Sequence, residues 1–179
     1  MVAFVKLILL ASAVAAATAQ LLASDETNVL NDITADIGPQ ITILSKDISS
    51  FPIDGLTGAE EIENDAITLI ETLKMATGHV KETGSLSVVS GLEVLAQIEY
   101  LIPPFLNTLA TIPLKSTAWN ALEGPGLALE DLKVGKQAFS EYLDAIIAAE
   151  PYALKSRIIA VKMRLMDAFD EIITIYPLS

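Results

Sequence analysis

The chain has 179 residues, of which 52% are hydrophobic, and a formal net charge of −12 at pH 7. Such an acidic surface repels phosphate backbones, so nucleic acid is excluded as an expected partner. The chain has no cysteine and a single histidine, which excludes disulfide frameworks, cysteine nucleophiles and zinc sites built from histidine pairs.

The first nineteen residues are predicted to be a secretory signal peptide. Lys6 is a short basic region, residues 7–17 are apolar, and Ala17-Thr18-Ala19 is a small-x-small cleavage site. Gln20 would then begin the secreted chain, and residues 20–179 would form one domain. No later run reaches the ~20 apolar residues that a membrane span needs, and the C-terminal apolar stretch is too short for a lipid-anchor signal. We therefore expect a secreted, extracellular protein.

Helix signals recur along the chain and strand signals are nearly absent. The first helix is predicted from Ser24 to Ser50, because its apolar residues keep a spacing of three and four. That phase survives Gly38-Pro39, which predicts one helix kinked near Pro39. The second begins at Thr57, where Thr57 and Glu60 fit a capping box, and it closes within residues 78–84.

Residues Ser85–Ile102 are predicted to form a central apolar helix. Their side chains are apolar around most of the helix circumference, which is typical of a helix surrounded by other elements. Pro103-Pro104 is expected to end this helix, because proline removes a backbone donor and clashes with the preceding turn.

Three further helices are predicted from the remaining pattern. They cover residues 104–122 with a break at Pro113, residues 127–149, and residues 151–176, the last with two apolar seams that face two neighbours. Five to six helices joined by short loops predict an all-α, single-domain bundle.

No pattern in the chain is typical of catalysis. His79 is expected near the end of the second helix, where a cation suits the helix dipole, and no Gly-x-Ser-x-Gly elbow accompanies it. The acidic clusters at residues 60–65 and 167–171 are interpreted as solvated helix faces. We therefore expect no enzyme activity, no metal and no cofactor, with a hydrolase as the remaining alternative.

The surplus of aliphatic residues favours either a solid core or a cavity between helices. Prolines that bend helices and a scarcity of large aromatic side chains favour the cavity, and ligand sites often lie between the helices of bundles.

Three segments resemble a known family: residues 100–109 (YLIPPFLNTL), 139–151 (FSEYLDAIIAAEP) and 168–176 (AFDEIITIY). They are similar to the fungal hydrophobic surface-binding protein A family, which includes lipid-binding domains of fungal cell-wall galactomannoproteins. The resemblance covers roughly residues 27–176. It implies a secreted bundle of about five helices with an apolar tunnel for a fatty acid, and adsorption to hydrophobic surfaces. The chain lacks a Ser/Thr-rich stalk and an anchor signal, which leaves at most a loose association with the cell wall.

The main hypothesis is therefore a helical-bundle lipid-binding domain that holds a fatty acid or other lipid, as a monomer or a dimer. The expected cavity lining is Leu69, Leu73, Leu92, Leu95, Phe105, Leu109, Phe139, Ile146, Val161 and Phe169. The candidates for contact with the lipid head group are Ser85, Ser87, Ser90, His79 and Lys115. The alternative is a surface-active structural protein that adsorbs to hydrophobic surfaces and recruits secreted hydrolases to them.

Overall fold

The computed structural model describes residues 25–122 and 125–175. These residues contain no strand and form six helices, which confirms the all-α bundle. The helices are α1 at 25–50, α2 at Gly55–Thr83, α3 at Val88–Thr111, α4 at Ser116–Leu122, α5 at Pro125–Ala149 and α6 at Tyr152–Ile175. The expected signal peptide, the cap at Ser24 and the last helical residue, Tyr176, lie outside the described residues.

Helix α1 is continuous through its proline, as its apolar phase predicts. The segment Asp32–Ile37 is π-helical, and the Gly38 amide donates to the Ile33 carbonyl at its end. Pro39 follows in the first turn of the α-helical segment Gly38–Ser50. A π-helical turn is a known cause of helix bending, and this one directly precedes Pro39; the kink near Pro39 itself stays a prediction.

Helix α3 does not end at Ile102, and that expectation is wrong. Ser87 caps the helix by accepting a hydrogen bond from the Ser90 amide at 3.2 Å, and Pro103 and Pro104 lie inside the helix. Both prolines are exposed, so water can satisfy the backbone groups that they leave without a partner. The break comes instead at a 3₁₀ turn, Pro113–Lys115, between α3 and α4.

The helices close into a ring rather than wrapping around α3. Helix α1 contacts α2 and α3, α2 contacts α5, α5 contacts α6, and α6 contacts α3. Helix α3 accordingly has an outer side, on which Val89, Leu92 and Tyr100 are exposed. The expectation that α3 is surrounded is therefore corrected: its apolar circumference is only half buried.

The helices α1, α3 and α6 run in one direction, and α2 and α5 run in the other. Ser45 of α1 bonds to Thr108 of α3, and Glu26 near the start of α1 bonds to Ser90 near the start of α3. The Leu86 amide donates to the Ala149 carbonyl at 2.9 Å, which joins the ends of α2 and α5. One end of the bundle thus gathers the ends of α1, α3 and α6 and the starts of α2 and α5.

Helix α6 has the two neighbours that its sequence predicts, α3 and α5. The first apolar seam is buried at Leu154, Ile158, Val161, Leu165 and Ile172, whereas Ile175 at its end is exposed. The second seam, from Ile159 to Ile173, is mixed, because Phe169 is buried whereas Ile159 and Met163 are exposed.

Candidate functional site

A cavity of about 100 Å³ lies between the helices at the end where α1, α3 and α6 finish, which we call the cavity end. Every helix of the ring contributes to its lining, and so does α4, which packs against α2 and α5. The lining residues are Leu44, Ile48, Phe51, Ile62, Glu63, Ala66, Leu69, Ile70, Phe105, Leu109, Ile112, Lys115, Trp119, Asp131, Leu132, Gly135, Phe139 and Phe169.

Aromatic rings form two parts of the cavity lining. The ring centroids of Phe105 and Phe139 are 5.0 Å apart, and Phe169 lies 6.3 Å from the first and 6.0 Å from the second. Nearer to α4, the rings of Phe51 and Trp119 are 4.8 Å apart at 56°. These distances are those of favourable tilted and edge-to-face pairs, so both clusters hold defined positions around the cavity.

Four polar side chains line this otherwise apolar space. Lys115 binds the end of α1, because its Nζ donates to the Ser49 carbonyl at 3.0 Å and also to the Phe51 carbonyl. The Trp119 indole N–H is shielded from solvent and has no hydrogen-bond partner among the described residues. The carboxyl groups of Glu63 and Asp131 complete the set.

The lining is mainly aliphatic and aromatic, apart from the four polar side chains. It contains no histidine, cysteine or serine among the described residues, so nucleophile and base pairs of the usual kinds are missing from it. The described residues contain no group of carboxylates and imidazoles that could hold a metal ion. A volume of about 100 Å³ is below the ~300–1,000 Å³ of typical ligand pockets, so in this conformation the cavity encloses only part of a long acyl chain.

Half of the predicted lining residues do line the cavity. These are Leu69, Phe105, Leu109, Phe139 and Phe169. Four others are buried in the core but do not border the cavity, namely Leu73, Leu95, Ile146 and Val161. The expectation for Leu92 is wrong, because its side chain is 46% exposed on the outer side of α3.

The predicted head-group residues divide between the two ends of the bundle. Lys115 lies at the cavity, whereas the four other candidates lie near the opposite end. There Ser87 and Ser90 donate their hydroxyls to Glu26 at 3.1 and 2.7 Å, and Ser85 is exposed in the connection between α2 and α3. Partial burial would raise the pKa of Glu26, but the hydrogen bonds from Ser90 and Ser87 lower it overall.

His79 also lies far from the cavity, and it pairs with a buried carboxylate. Its Nδ1 is 3.0 Å from Oδ2 of Asp32, the first residue of the π-helical segment. Burial raises the pKa of Asp32, and the hydrogen bond and charge of His79 offset part of that rise. Burial, and then the charge of Asp32, raise the pKa of Tyr142. This group links α1, α2 and α5 at the end opposite the cavity.

Sequence reasoning missed the polar members Trp119, Glu63 and Asp131 as site residues, and it missed Gly135. In the sequence, Trp119 belongs to the apolar pattern of its own helix, and Glu63 belongs to an acidic helix face. Neither pattern indicates that the two side chains border the same cavity. Their meeting depends on α4 folding back at Pro113 and on the order of helices in the ring, which no local pattern encodes.

Residues 26–148 match the sequence profile of the family described as "Hydrophobic surface binding protein A". A comparison with curated proteins gives no match. No helix among the described residues is long and apolar enough to cross a membrane.

Solved structures share the fold at low identity. AfMP4p in complex with palmitic acid is 20% identical, with a TM-score of 0.79 over 84% of this chain and 99% of that one. The ligand-binding domain 1 of Penicillium marneffei MP1, complexed with arachidonic acids, is 14% identical, with a TM-score of 0.75 over 84% and 98% of the two chains. Domain 2 of the same protein is 14% identical, with a TM-score of 0.72 over 86% and 92%.

Proposed function

Because the chain belongs to the hydrophobic surface binding protein A family, we propose that it is a secreted, non-enzymatic protein that binds a fatty acid or a similar lipid. The observation that carries the proposal is the cavity, which is lined by aliphatic and aromatic side chains at the cavity end of the bundle. The similar structures that hold palmitic or arachidonic acid support the class of ligand.

Binding requires the cavity to widen. Each CH₂ group that is buried contributes about 0.8 kcal/mol before ordering costs, so a long acyl chain supplies the free energy to separate neighbouring side chains. An acyl tail would then lie among Leu69, Phe105 and Phe139.

The experiment is lipid extraction followed by titration. The purified protein is extracted with organic solvent, the extract is analysed by mass spectrometry, and the delipidated protein is titrated with a fluorescent fatty acid. Saturable binding with one or more sites per chain is expected. Absence of both extracted lipid and saturable binding would contradict the proposal.

Gly135 offers a matched pair of variants for the site. A Cβ at this position would lie 3.9 Å from Cε1 of Phe169, which is ordinary contact, so Gly135→Ala should fold and bind normally. Gly135→Leu places a larger side chain in the cavity and should weaken binding at least tenfold. Both variants remove glycine from α5, so their helix propensities are similar, and the difference between them reports on cavity volume.

A second function, adsorption to hydrophobic surfaces, is favoured by the outer side of α3. Val89, Leu92, Ala96 and Tyr100 recur there at helical spacing and are exposed. An exposed apolar stripe of this kind can lie on a hydrophobic surface, where it could gather secreted hydrolases. Replacing Val89 and Leu92 by threonine should reduce adsorption to octyl-coated beads, whereas Ile53→Thr, at a still more exposed position between α1 and α2, should not.

A further inference from the structure

Lys115 is the one basic side chain among the residues that line the cavity. Its ammonium group is held at the end of α1 by the carbonyls of Ser49 and Phe51. An ammonium group has three N–H donors and no acceptor. Two carbonyls occupy two donors, which leaves one N–H and the full positive charge for a ligand in the cavity.

Trp119 supplies a second donor to the same region. Trp119 lies in α4, four residues after Lys115 at the end of the 3₁₀ turn. It lines the cavity, and its ring packs on Phe51, whose carbonyl accepts from Lys115. Its indole N–H has no partner among the described residues, although it is shielded from solvent. Nearly all buried donors in native proteins are paired, so an N–H that is left free beside a cavity marks a place for an acceptor on a ligand.

We infer that the ligand is an anionic amphiphile whose carboxylate binds Lys115 and Trp119 and whose tail extends toward Phe105, Phe139 and Phe169. This inference rests on the proposed function and adds the charge and the direction of the ligand. Hydrogen bonds to a carboxylate are charge-assisted and are stronger than those to an uncharged hydroxyl. The site should therefore select fatty acids over fatty alcohols of the same length.

Glu63 of α2 also lines the cavity, and its carboxylate opposes the binding of an anion. Like charges in a partly dry site repel strongly, so the carboxylate of the ligand should lie at Lys115, beside α4, and away from Glu63. Removal of the Glu63 charge should therefore strengthen the binding of an acid and leave the binding of an alcohol unchanged.

The experiment compares dodecanoate with dodecanol near neutral pH by isothermal titration calorimetry. Wild type should prefer the acid. Lys115→Met should weaken acid binding by about 10- to 100-fold, the worth of a hydrogen bond to a charged group, and should leave alcohol binding nearly unchanged. Trp119→Phe should weaken the acid by about fivefold, and Lys115→Arg should restore most of the preference. Glu63→Gln should increase the preference for the acid over the alcohol.

The alcohol also controls for a purely structural role of Lys115, which ties α4 to the end of α1. Equal losses for acid and alcohol in Lys115→Met, or equal affinities of wild type for both, would overturn the inference and leave the proposed function standing. If wild type binds neither compound, the proposed function fails instead. A Glu63→Gln variant that gains affinity for both ligands alike would also count against a carboxylate at this place.

Discussion

Gly91 of α3 leaves the space that the carboxyl group of Glu150 occupies at the turn between α5 and α6. A Cβ added at Gly91 would overlap Oε2 of Glu150 and would lie 3.0 Å from Cδ of Pro151 and 3.2 Å from Cδ1 of Leu154. Both carboxyl oxygens of Glu150 are buried and have no hydrogen-bond partner among the described residues. The close approach of α3 to this turn therefore depends on glycine at position 91, which has no side chain.

Gly91→Ala should destabilise the protein, although alanine usually favours a helix over glycine by about 1 kcal/mol. The added methyl group has no room, and overpacking of this kind costs about 1–3 kcal/mol. The matched control is Gly78→Ala in α2, where a Cβ would meet nothing within 4 Å and the helix should become slightly more stable. Urea denaturation measures both, and a stabilised Gly91→Ala protein would contradict the packing described.

Glu150 should make stability fall as the pH rises from about 4.5 to about 7. Burial raises the pKa of Glu150 to about 7, against a weaker opposite effect of Lys155. The folded state thus holds this proton more tightly than the unfolded state does. Its contribution is fully present below the ordinary pKa and is lost as pH rises through the folded value. One pKa unit corresponds to about 1.4 kcal/mol, which predicts a total change of about 3 kcal/mol.

The variant Glu150→Gln isolates this effect, because it keeps the shape and removes the titration. Near pH 5 the two proteins should have similar free energies of unfolding, and near pH 8 the glutamine variant should be more stable by about 2–3 kcal/mol. Thermal unfolding across this pH range gives the comparison. Parallel curves for the two proteins would show that the carboxyl group titrates normally.

Phe139→Ala should lower the free energy of unfolding by about 3 kcal/mol, the lower part of the range for buried phenylalanines. Phe139 is 3% exposed and contacts both Phe105 and Phe169, but it already borders a cavity, so fewer contacts are lost. The exposed Tyr152→Ala should change stability by less than about 0.5 kcal/mol. A saturating fatty acid should raise the Tm of Phe139→Ala more than that of wild type, as differential scanning fluorimetry would report.

The pairing of His79 with Asp32 should be visible in a double-mutant cycle. His79→Ala leaves the buried Asp32 carboxyl group without its ring partner and should cost about 1–2 kcal/mol. In an Asp32→Asn background the same substitution should have little effect, since no charge is then left unpaired. An equal cost in both backgrounds would mean that His79 stabilises the helix through packing alone.

The periodic pattern of apolar residues was sufficient to predict the fold class and most of the helices. The prediction failed at Pro103-Pro104, because the rule that proline ends a helix predicts a break there. The structure tolerates both prolines inside α3 because they lie on its exposed side. At Gly38-Pro39 the same rule predicts a break, but the spacing of apolar residues continues on both sides and predicts one helix. The helix is continuous there.

The cavity could be predicted only in outline. Large apolar residues such as Phe105 and Phe139 are expected inside any bundle, and no local pattern separates the five that border the cavity from the four that are buried elsewhere in the core. Leu92 was misassigned because the sequence does not reveal that α3 has an outer side. The approach of Trp119 to Phe51 depends on a turn at Pro113 whose direction is set by tertiary packing.

The ring of helices has a consequence for selectivity. Each helix makes its hydrogen bonds within itself, so neighbouring helices can shift slightly, as in the shear motions of packed helices, while their internal bonding stays intact. The width of the space between the helices is thus adjustable, whereas two carbonyls at the end of α1 hold the ammonium group of Lys115 in place. Such a protein should tolerate acyl chains of varied length and unsaturation and discriminate sharply only at their polar tip.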